Sequence, residues 1–145
     1  GARRVYAVDA GRGQLHPDLR NHPQVVVMEK TNLRHLKELP EKVGLACLDL
    51  SFISLTKVLD PVRGLLAPGG EVVALVKPQF ELPPGKTKKG VVREDCLREE
   101  AVEKVLRYAR EIGLIARGKA PSVLAGPKGN REIFVRLRFE PVPPN

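Results

Sequence analysis

The sequence predicts an α/β domain with a mostly parallel sheet and an antiparallel hairpin at its C-terminal end. Short apolar runs rich in Val, Leu and Ile alternate with stretches that suit helices. These runs do not alternate cleanly with polar residues, which is typical of parallel strands that are covered on both faces. The last two runs are joined by a Gly/Pro/Asn-rich connection without a helix pattern, so they pair most simply as a hairpin.

The elements follow from those runs. Three helices are predicted, over residues 32–39, 55–66 and 95–112. Ser54 is available to cap the second helix, Pro61 can kink it, and Pro68-Gly69-Gly70 ends it and turns the chain into the next strand. The third is the clearest, with an apolar stripe at helical spacing. The predicted strands cover residues 4–10, 25–28, 45–50, 71–76, 114–120 and 133–139.

Length and composition limit the function classes. The 145 residues, 42% of them hydrophobic, suffice for one globular domain, which we expect over residues 1–140 with a tail over residues 141–145. The longest apolar runs have the length of a strand, so no membrane-spanning helix is expected. Only 4% of the residues are aromatic, which argues against RNA binding on an aromatic platform. The two cysteines form no disulfide framework and fit a reducing cytoplasm, and the three histidines share no metal-ligand pattern.

The net charge of +8 favours a polyanionic partner, most commonly nucleic acid. Residues 77–93 carry five basic and one acidic side chain, and residues 114–145 carry six and two, so the excess lies in these two segments. A solvated surface is the alternative interpretation. Connections in such folds usually span about two to six residues, so the stretch 77–94 is either a functional loop or a mobile one.

Polar residues directly follow the predicted strands, at the edge where open α/β sheets bind ligands. Asp9 suits the two hydroxyls of a ribose and hence an adenosine-bearing cofactor, whereas no NAD-type or ATP-type glycine motif occurs in the chain. Lys77 would lie beside Asp49 if their strands are neighbours, and such a lysine can act as a base towards a sugar hydroxyl. A salt bridge without a catalytic role is the alternative. Glu132, delivered by a glycine-rich loop, can hydrogen-bond the lysine or the ribose.

Several motifs together resemble one family. They are VYAVD at residues 5–9, MEKTN at 28–32, DLSFISL at 49–55, VKPQFE at 76–81, GVVR at 90–93 and GPKGNRE at 126–132. This combination is similar to the TlyA-type ribosomal RNA methyltransferases, also labelled the hemolysin A family, which belong with the FtsJ-like 2′-O-methyltransferases. The resemblance covers nearly the whole chain.

The resemblance implies a Rossmann-like fold, S-adenosylmethionine as the methyl donor, and transfer to the ribose 2′-hydroxyl of a cytidine in ribosomal RNA. Its partners would be ribosomal RNA or ribosomal subunits, with no membrane. The family's catalytic tetrad would place its aspartate on Asp49, its second lysine on Lys77 and its glutamate on Glu132. Asp9 would hold the cofactor ribose and Asn32 would lie near the adenine. Asp49 would be a cofactor-binding residue as well as a member of the tetrad.

The chain departs from the family at its front. The N-terminal RNA-binding domain, the first tetrad lysine and the first strand with its glycine-rich turn are not in these residues. We therefore expect the C-terminal portion of a methyltransferase domain that lacks its first strand and, by itself, binds S-adenosylmethionine weakly or not at all.

The basic residues of the two charged segments would grip RNA phosphates without reading sequence. They are Lys86, Lys88, Lys89, Arg93, Lys128 and Arg131. Two alternatives stay open. A non-enzymatic RNA-binding module explains the charge but not the polar strand ends. A cytolysin, which the hemolysin label suggests, would need a signal peptide, a spanning helix or a basic amphipathic helix, and the best helix here is net acidic.

Overall fold

A computed structural model describes residues 1–141, and these fall into two compact units, Gly1–Lys37 and one that begins at Glu38. The first unit contains strand β1 (Val5–Val8), helix α1 (Pro17–Arg20) and strand β2 (Val25–Met28). β1 and β2 pair in parallel, with Val5 opposite Val25. None of residues 1–37 is fully buried, so this strand pair has no core of its own.

The second unit is larger. In chain order it contains β3 (Val43–Leu48), α2 (Leu59–Leu65), β4 (Leu66–Val76), α3 (Pro78–Glu81), α4 (Asp95–Glu111), β5 (Leu114–Pro121) and β6 (Ile133–Phe139). The strands of its sheet lie in the order β3-β4-β6-β5. β3 and β4 are parallel, while β6 runs antiparallel to both β4 and β5. The predicted C-terminal hairpin is thus confirmed.

The core of the second unit surrounds β4. Val72, Ala74 and Val76 of this strand are fully buried, as expected at alternate positions that share one face. Helix α4 packs against β4 and β5 and contributes Ala101 and Val105 to the buried set. Each fully buried valine side chain of this set stabilises the fold by about 1.5–3 kcal/mol, and each alanine by less. The carboxyl end of β4, where the candidate site begins, is therefore anchored firmly.

An ion pair also joins β4 to β6 on the surface. Arg136 donates two hydrogen bonds to the carboxylate of Glu71, from Nε at 2.9 Å and from Nη2 at 2.8 Å. These bonds lower the pKa of Glu71 and raise that of Arg136. The pair links neighbouring strands at the end of the sheet opposite to Lys77.

Two predicted helices differ from the observed ones. The prediction over residues 32–39 is wrong beyond a single 3₁₀ turn, Leu33–His35, and Pro40 disfavours helical backbone at the residue before it. The prediction over residues 55–66 is divided into a 3₁₀ turn, Leu55–Lys57, and α2. Pro61 lies in the first turn of α2, where its missing N–H breaks no hydrogen bond within the helix. The Ser54 cap is confirmed, because its side chain accepts from the Thr56 N–H.

The prediction that Pro68-Gly69-Gly70 turns the chain was also wrong. β4 runs through these residues, and its register against β3 shifts between the pairs Leu66–Val43 and Glu71–Leu45. Gly69 takes a φ of +77°, which glycine adopts without strain and which lets the strand bulge rather than end. Pro141 has no regular structure, and the rest of the predicted tail lies outside the described residues.

Candidate active site

Asp49 and Lys77 meet at the carboxyl ends of two neighbouring parallel strands. β3 ends at Leu48 and β4 at Val76, so the next residue of each strand emerges at the same edge of the sheet. Lys77 Nζ lies 2.7 Å from Asp49 Oδ1 and donates a hydrogen bond of 3.3 Å to Ser51 Oγ. The side chain of Lys77 is only 11% exposed, whereas that of Asp49 is 74% exposed. Most of the Lys77 side chain is therefore buried, and its ammonium group meets the exposed carboxylate of Asp49 at the surface.

A buried carboxylate fixes the two loops that carry this pair. Glu81, in α3, accepts hydrogen bonds from the Leu55 N–H at 2.8 Å and from Ser54 Oγ at 2.6 Å. Its carbonyl oxygen also accepts from Lys104 Nζ of α4 at 2.7 Å. Because Ser54 follows β3 and Glu81 follows β4, these bonds hold the loop after Asp49 against the loop after Lys77. Sharing the carboxylate among several donors offsets the cost of burying it.

An aromatic pair joins the same two loops. The rings of Phe52 and Phe80 have centroids 5.0 Å apart and are inclined at 50°, a geometry that favours attraction between ring edges and faces. Phe52 is 88% exposed and takes a φ of +63°. Such backbone conformations cost a non-glycine residue about 1–3 kcal/mol and concentrate at functional sites. The loop after Asp49 is therefore held in one uncommon conformation.

Glu132 lies at the start of β6, and its residue is buried. Its Oε2 accepts a hydrogen bond of 2.8 Å from Gln79 Nε2, two residues beyond Lys77. Gly126 leaves room for the carboxylate, since a Cβ built there would lie 2.5 Å from Glu132 Cδ. The structure thus places Glu132 against the loop of Lys77, with Gln79 as its hydrogen-bond partner. Its predicted contact with the lysine or the ribose remains a prediction.

The two basic segments are clamped together by Asn130, which is buried. Its Oδ1 accepts from the Val92 N–H at 3.0 Å, and its Nδ2 donates to the carbonyl oxygens of Gly90 and Pro127. Lys128 Nζ adds a hydrogen bond of 3.0 Å to the Lys89 carbonyl oxygen. Segments far apart in sequence consequently form one surface beside the start of β6.

The predicted RNA-binding residues differ in their surroundings. Lys86 is paired with Glu100 of α4 at 2.6 Å, so RNA would compete with that carboxylate. Lys88 and Lys89 belong to the turn closed by the bridge between Lys88 and Val91. They are exposed, as are Arg93, Lys128 and Arg131.

The predicted cofactor residues Asp9 and Asn32 lie in the first unit. Asp9 follows β1, is exposed, and accepts a hydrogen bond of 2.6 Å from the Gly11 N–H. It lines a cavity of about 150 Å³ together with Gln14 and Glu29. Asn32 Oδ1 caps the following 3₁₀ turn by accepting from the Arg34 N–H, so its amide nitrogen is the atom with which it would reach an adenine.

This cavity fits one part of an adenosine-bearing cofactor. Pockets for whole ligands of that class usually measure about 300–1,000 Å³, so the space beside Asp9 suits the ribose rather than the entire molecule.

Within the described residues, no group of three or more His, Cys, Asp and Glu side chains is placed to hold a metal ion.

Sequence reasoning missed Gln79, Glu81 and Asn130. The available signal was their position, because each is a polar residue inside a motif that already carried a candidate residue. What the sequence did not reveal is the partner of each: Glu81 bonds residues 26 and 27 positions away, and Asn130 one 38 positions away.

Comparisons with known proteins show which proteins this chain is similar to. The TlyA protein of Mycobacterium tuberculosis, named as a 16S/23S rRNA (cytidine-2′-O)-methyltransferase, is 46% identical over 97% of this chain and 53% of its own length. A solved chain of Streptococcus thermophilus that carries the label hemolysin is 38% identical, with a TM-score of 0.95 over 99% of this chain and 53% of that one. The chain spans about half the length of the curated relatives it matches.

A more distant structure supports the fold alone. The N-methyltransferase NodS of Bradyrhizobium japonicum is 15% identical, with a TM-score of 0.63 over 94% of this chain and 66% of that one. The predicted Rossmann-like methyltransferase fold is thereby confirmed. The model of the FtsJ-like methyltransferase family matches residues 1–139. The family model and the similar sequences agree, and the chain belongs to the FtsJ-like methyltransferases.

Proposed function

We propose that this chain takes part in the S-adenosylmethionine-dependent methylation of a cytidine ribose 2′-hydroxyl in ribosomal RNA. The observation that carries the proposal is the contact of 2.7 Å between Lys77 and Asp49 at the ends of β3 and β4. The relative in Mycobacterium tuberculosis, named for this reaction, supports the choice of substrate. A ribosomal substrate also supports a cytoplasmic location.

The residues of the second unit would act on the hydroxyl. Asp49 and Ser51 hold Nζ of Lys77 in place. Once its ammonium has released a proton to solvent, the neutral amine of Lys77 orients the 2′-hydroxyl and accepts its proton. Glu132, fixed by Gln79 and Gly126, helps to position the lysine or the ribose. When bound, S-adenosylmethionine supplies an electrophilic methyl group. The methyl group would pass to the ribose oxygen with the donor's sulfonium sulfur as the leaving group, and the hydroxyl proton would pass to the neutral amine of Lys77.

The first unit would contribute to holding the donor. Asp9 is exposed at the end of β1 beside a cavity that suits a ribose, and carboxylates in this position accept hydrogen bonds from ribose hydroxyls. Asn32 would contact the adenine through its amide nitrogen, and the predicted part of Asp49 in the cofactor site stays a prediction. The basic surface clamped by Asn130 would bind RNA phosphates, which predicts an affinity that falls with salt.

The test is methyl transfer to unmethylated ribosomal subunits by the full-length protein, with labelled donor. We expect transfer by the wild type and a loss of at least about 100-fold in Lys77→Ala, the range for a general acid–base group. Lys57→Ala, at an exposed lysine of the 3₁₀ turn before α2, is the matched control. Normal methylation by Lys77→Ala would contradict the assignment of the lysine.

Methyl transfer and a dye-release assay together separate the alternatives. A non-enzymatic RNA-binding module would bind subunits without transferring methyl groups. A cytolysin would release dye from anionic liposomes. In the described part of the chain, no helix is long and apolar enough to cross a membrane.

A further inference from the structure

The loop from Ser122 to Gly126 contacts Glu132 at both of its ends. At its start the Ser122 N–H donates to the Glu132 carbonyl oxygen at 2.8 Å, and at its end Gly126 packs against the Glu132 carboxylate. Ser122 Oγ also accepts from the Leu124 N–H and donates to the Leu124 carbonyl oxygen. These local bonds fix the turn between the two ends, so the tip of the loop is held beside the proposed catalytic glutamate.

Two neighbouring apolar side chains form this tip. Val123 is 98% exposed and Leu124 is 76% exposed. Single exposed apolar residues are ordinary on protein surfaces, but these two are adjacent and are presented by a hydrogen-bonded turn. They border a groove of about 710 Å³ whose opposite wall is formed by α4.

The charges around the groove indicate the chemistry of its partner. On the side of the tip, Lys119 and Arg131 line it, and the carboxylate of Glu132 is buried there. On the opposite wall, Asp95 is paired with Arg98, and Glu99 adds an exposed carboxylate. The exposed charge beside the tip is therefore positive, and a partner that contacts the tip must offer negative charge next to apolar surface. Unpaired RNA does so, because its phosphates suit the cations and its unstacked bases expose apolar faces.

We infer that Val123 and Leu124 form an apolar contact surface for unpaired nucleotides of ribosomal RNA next to the methylated ribose. This inference rests on the proposed function, since it takes Glu132 as part of the methylation site. This contact would contribute to RNA affinity without charge, in addition to the basic residues that bind phosphates.

The experiment compares affinities for unmethylated ribosomal subunits at several salt concentrations, using the full-length protein. The variant Val123→Ser with Leu124→Ser should weaken binding about tenfold while leaving the slope of affinity against salt unchanged, because no counterion is released at an apolar contact. Arg131→Gln should reduce that slope by about 1. Leu19→Ser changes an exposed leucine of α1 and should leave the affinity unchanged.

An unchanged affinity in the double variant, with methylation by the wild type intact, would overturn the inference and leave the proposed function standing. A failure of the wild type to methylate would instead remove the proposed function, whatever the tip binds. A change in sedimentation or in liposome binding without a change in RNA affinity would assign the tip to a protein or a membrane and also overturn the inference. Thermal unfolding should not change, and Val123→Ser alone provides a milder second variant.

Discussion

The two units present polar strand ends in the same way but support them differently. In Gly1–Lys37, Asp9 follows a strand pair in which no residue is fully buried. In the second unit, Lys77 follows a strand whose last three residues are all buried, and Glu81 and Gln79 secure its surroundings. A strand end thus predicts where a functional residue lies, whereas the core beneath it decides how firmly the residue is held.

The difference should appear most strongly in the stability of the backbone. A two-stranded sheet is marginal by itself, and local opening can require almost no free energy where few apolar groups are buried. We expect amides of β1 and β2 to exchange hydrogen with opening free energies at least about 3 kcal/mol below those of β4 and β6. Exchange measured on residues 1–145 by mass spectrometry tests this. Equal protection of both strand sets would contradict the contrast.

Glu81 is the residue whose replacement should most reduce the stability of the second unit. Glu81→Ala leaves the buried Leu55 N–H without its acceptor and removes the link to Ser54. An unsatisfied buried group costs about 1–3 kcal/mol. We therefore expect the free energy of unfolding, measured by urea denaturation, to fall by about 3 kcal/mol. Glu81→Gln, which keeps an acceptor for Leu55, should lose less.

The matched control is Glu103→Ala, at an exposed position of the same helix that carries Lys104. Such surface changes usually stay within about 0.5 kcal/mol. If Glu81→Ala were as mild as this control, the carboxylate would not be holding the two loops together.

A smaller and more local effect is expected from Gly126→Ala. Gly126 has a φ of −77°, which alanine adopts without strain, so the added methyl group acts only by displacing the Glu132 carboxylate. We expect methylation by the full-length protein to fall about tenfold, which corresponds to about 1.4 kcal/mol in the barrier. Gly85→Ala, where a Cβ meets nothing within 4 Å, should be neutral. Equal methylation rates in Gly126→Ala and Gly85→Ala would show that the position of the Glu132 carboxylate does not matter for methyl transfer.

Much of this arrangement was predictable from local pattern. The bounds of β2 and β6 match the prediction, α4 ends one residue earlier, and the pairing of Asp49 with Lys77 follows from the rule that parallel strands end at one edge. Apolar runs determine these features because burial of a strand or a helix face is a periodic property.

The features that were missed depend on contacts between distant segments. The start of β4 needs a glycine bulge opposite β3, which turn residues alone do not distinguish from a turn. The buried partners of Glu81 and Asn130 come from other loops. Periodicity contains no information about such pairs, because each is one polar residue among many.

The most direct test of the division between the units uses Asp9→Ala and Lys77→Ala in the full-length protein. Binding of S-adenosylmethionine is measured by calorimetry and methyl transfer in a single turnover. Lys77→Ala leaves Asp49 at an exposed position, so no buried charge is left unpaired and the fold should persist. The account predicts that Asp9→Ala weakens donor binding at least about tenfold, while Lys77→Ala changes it less than about twofold and slows transfer at least about 100-fold. Normal donor binding by Asp9→Ala, or normal transfer by Lys77→Ala, would contradict it.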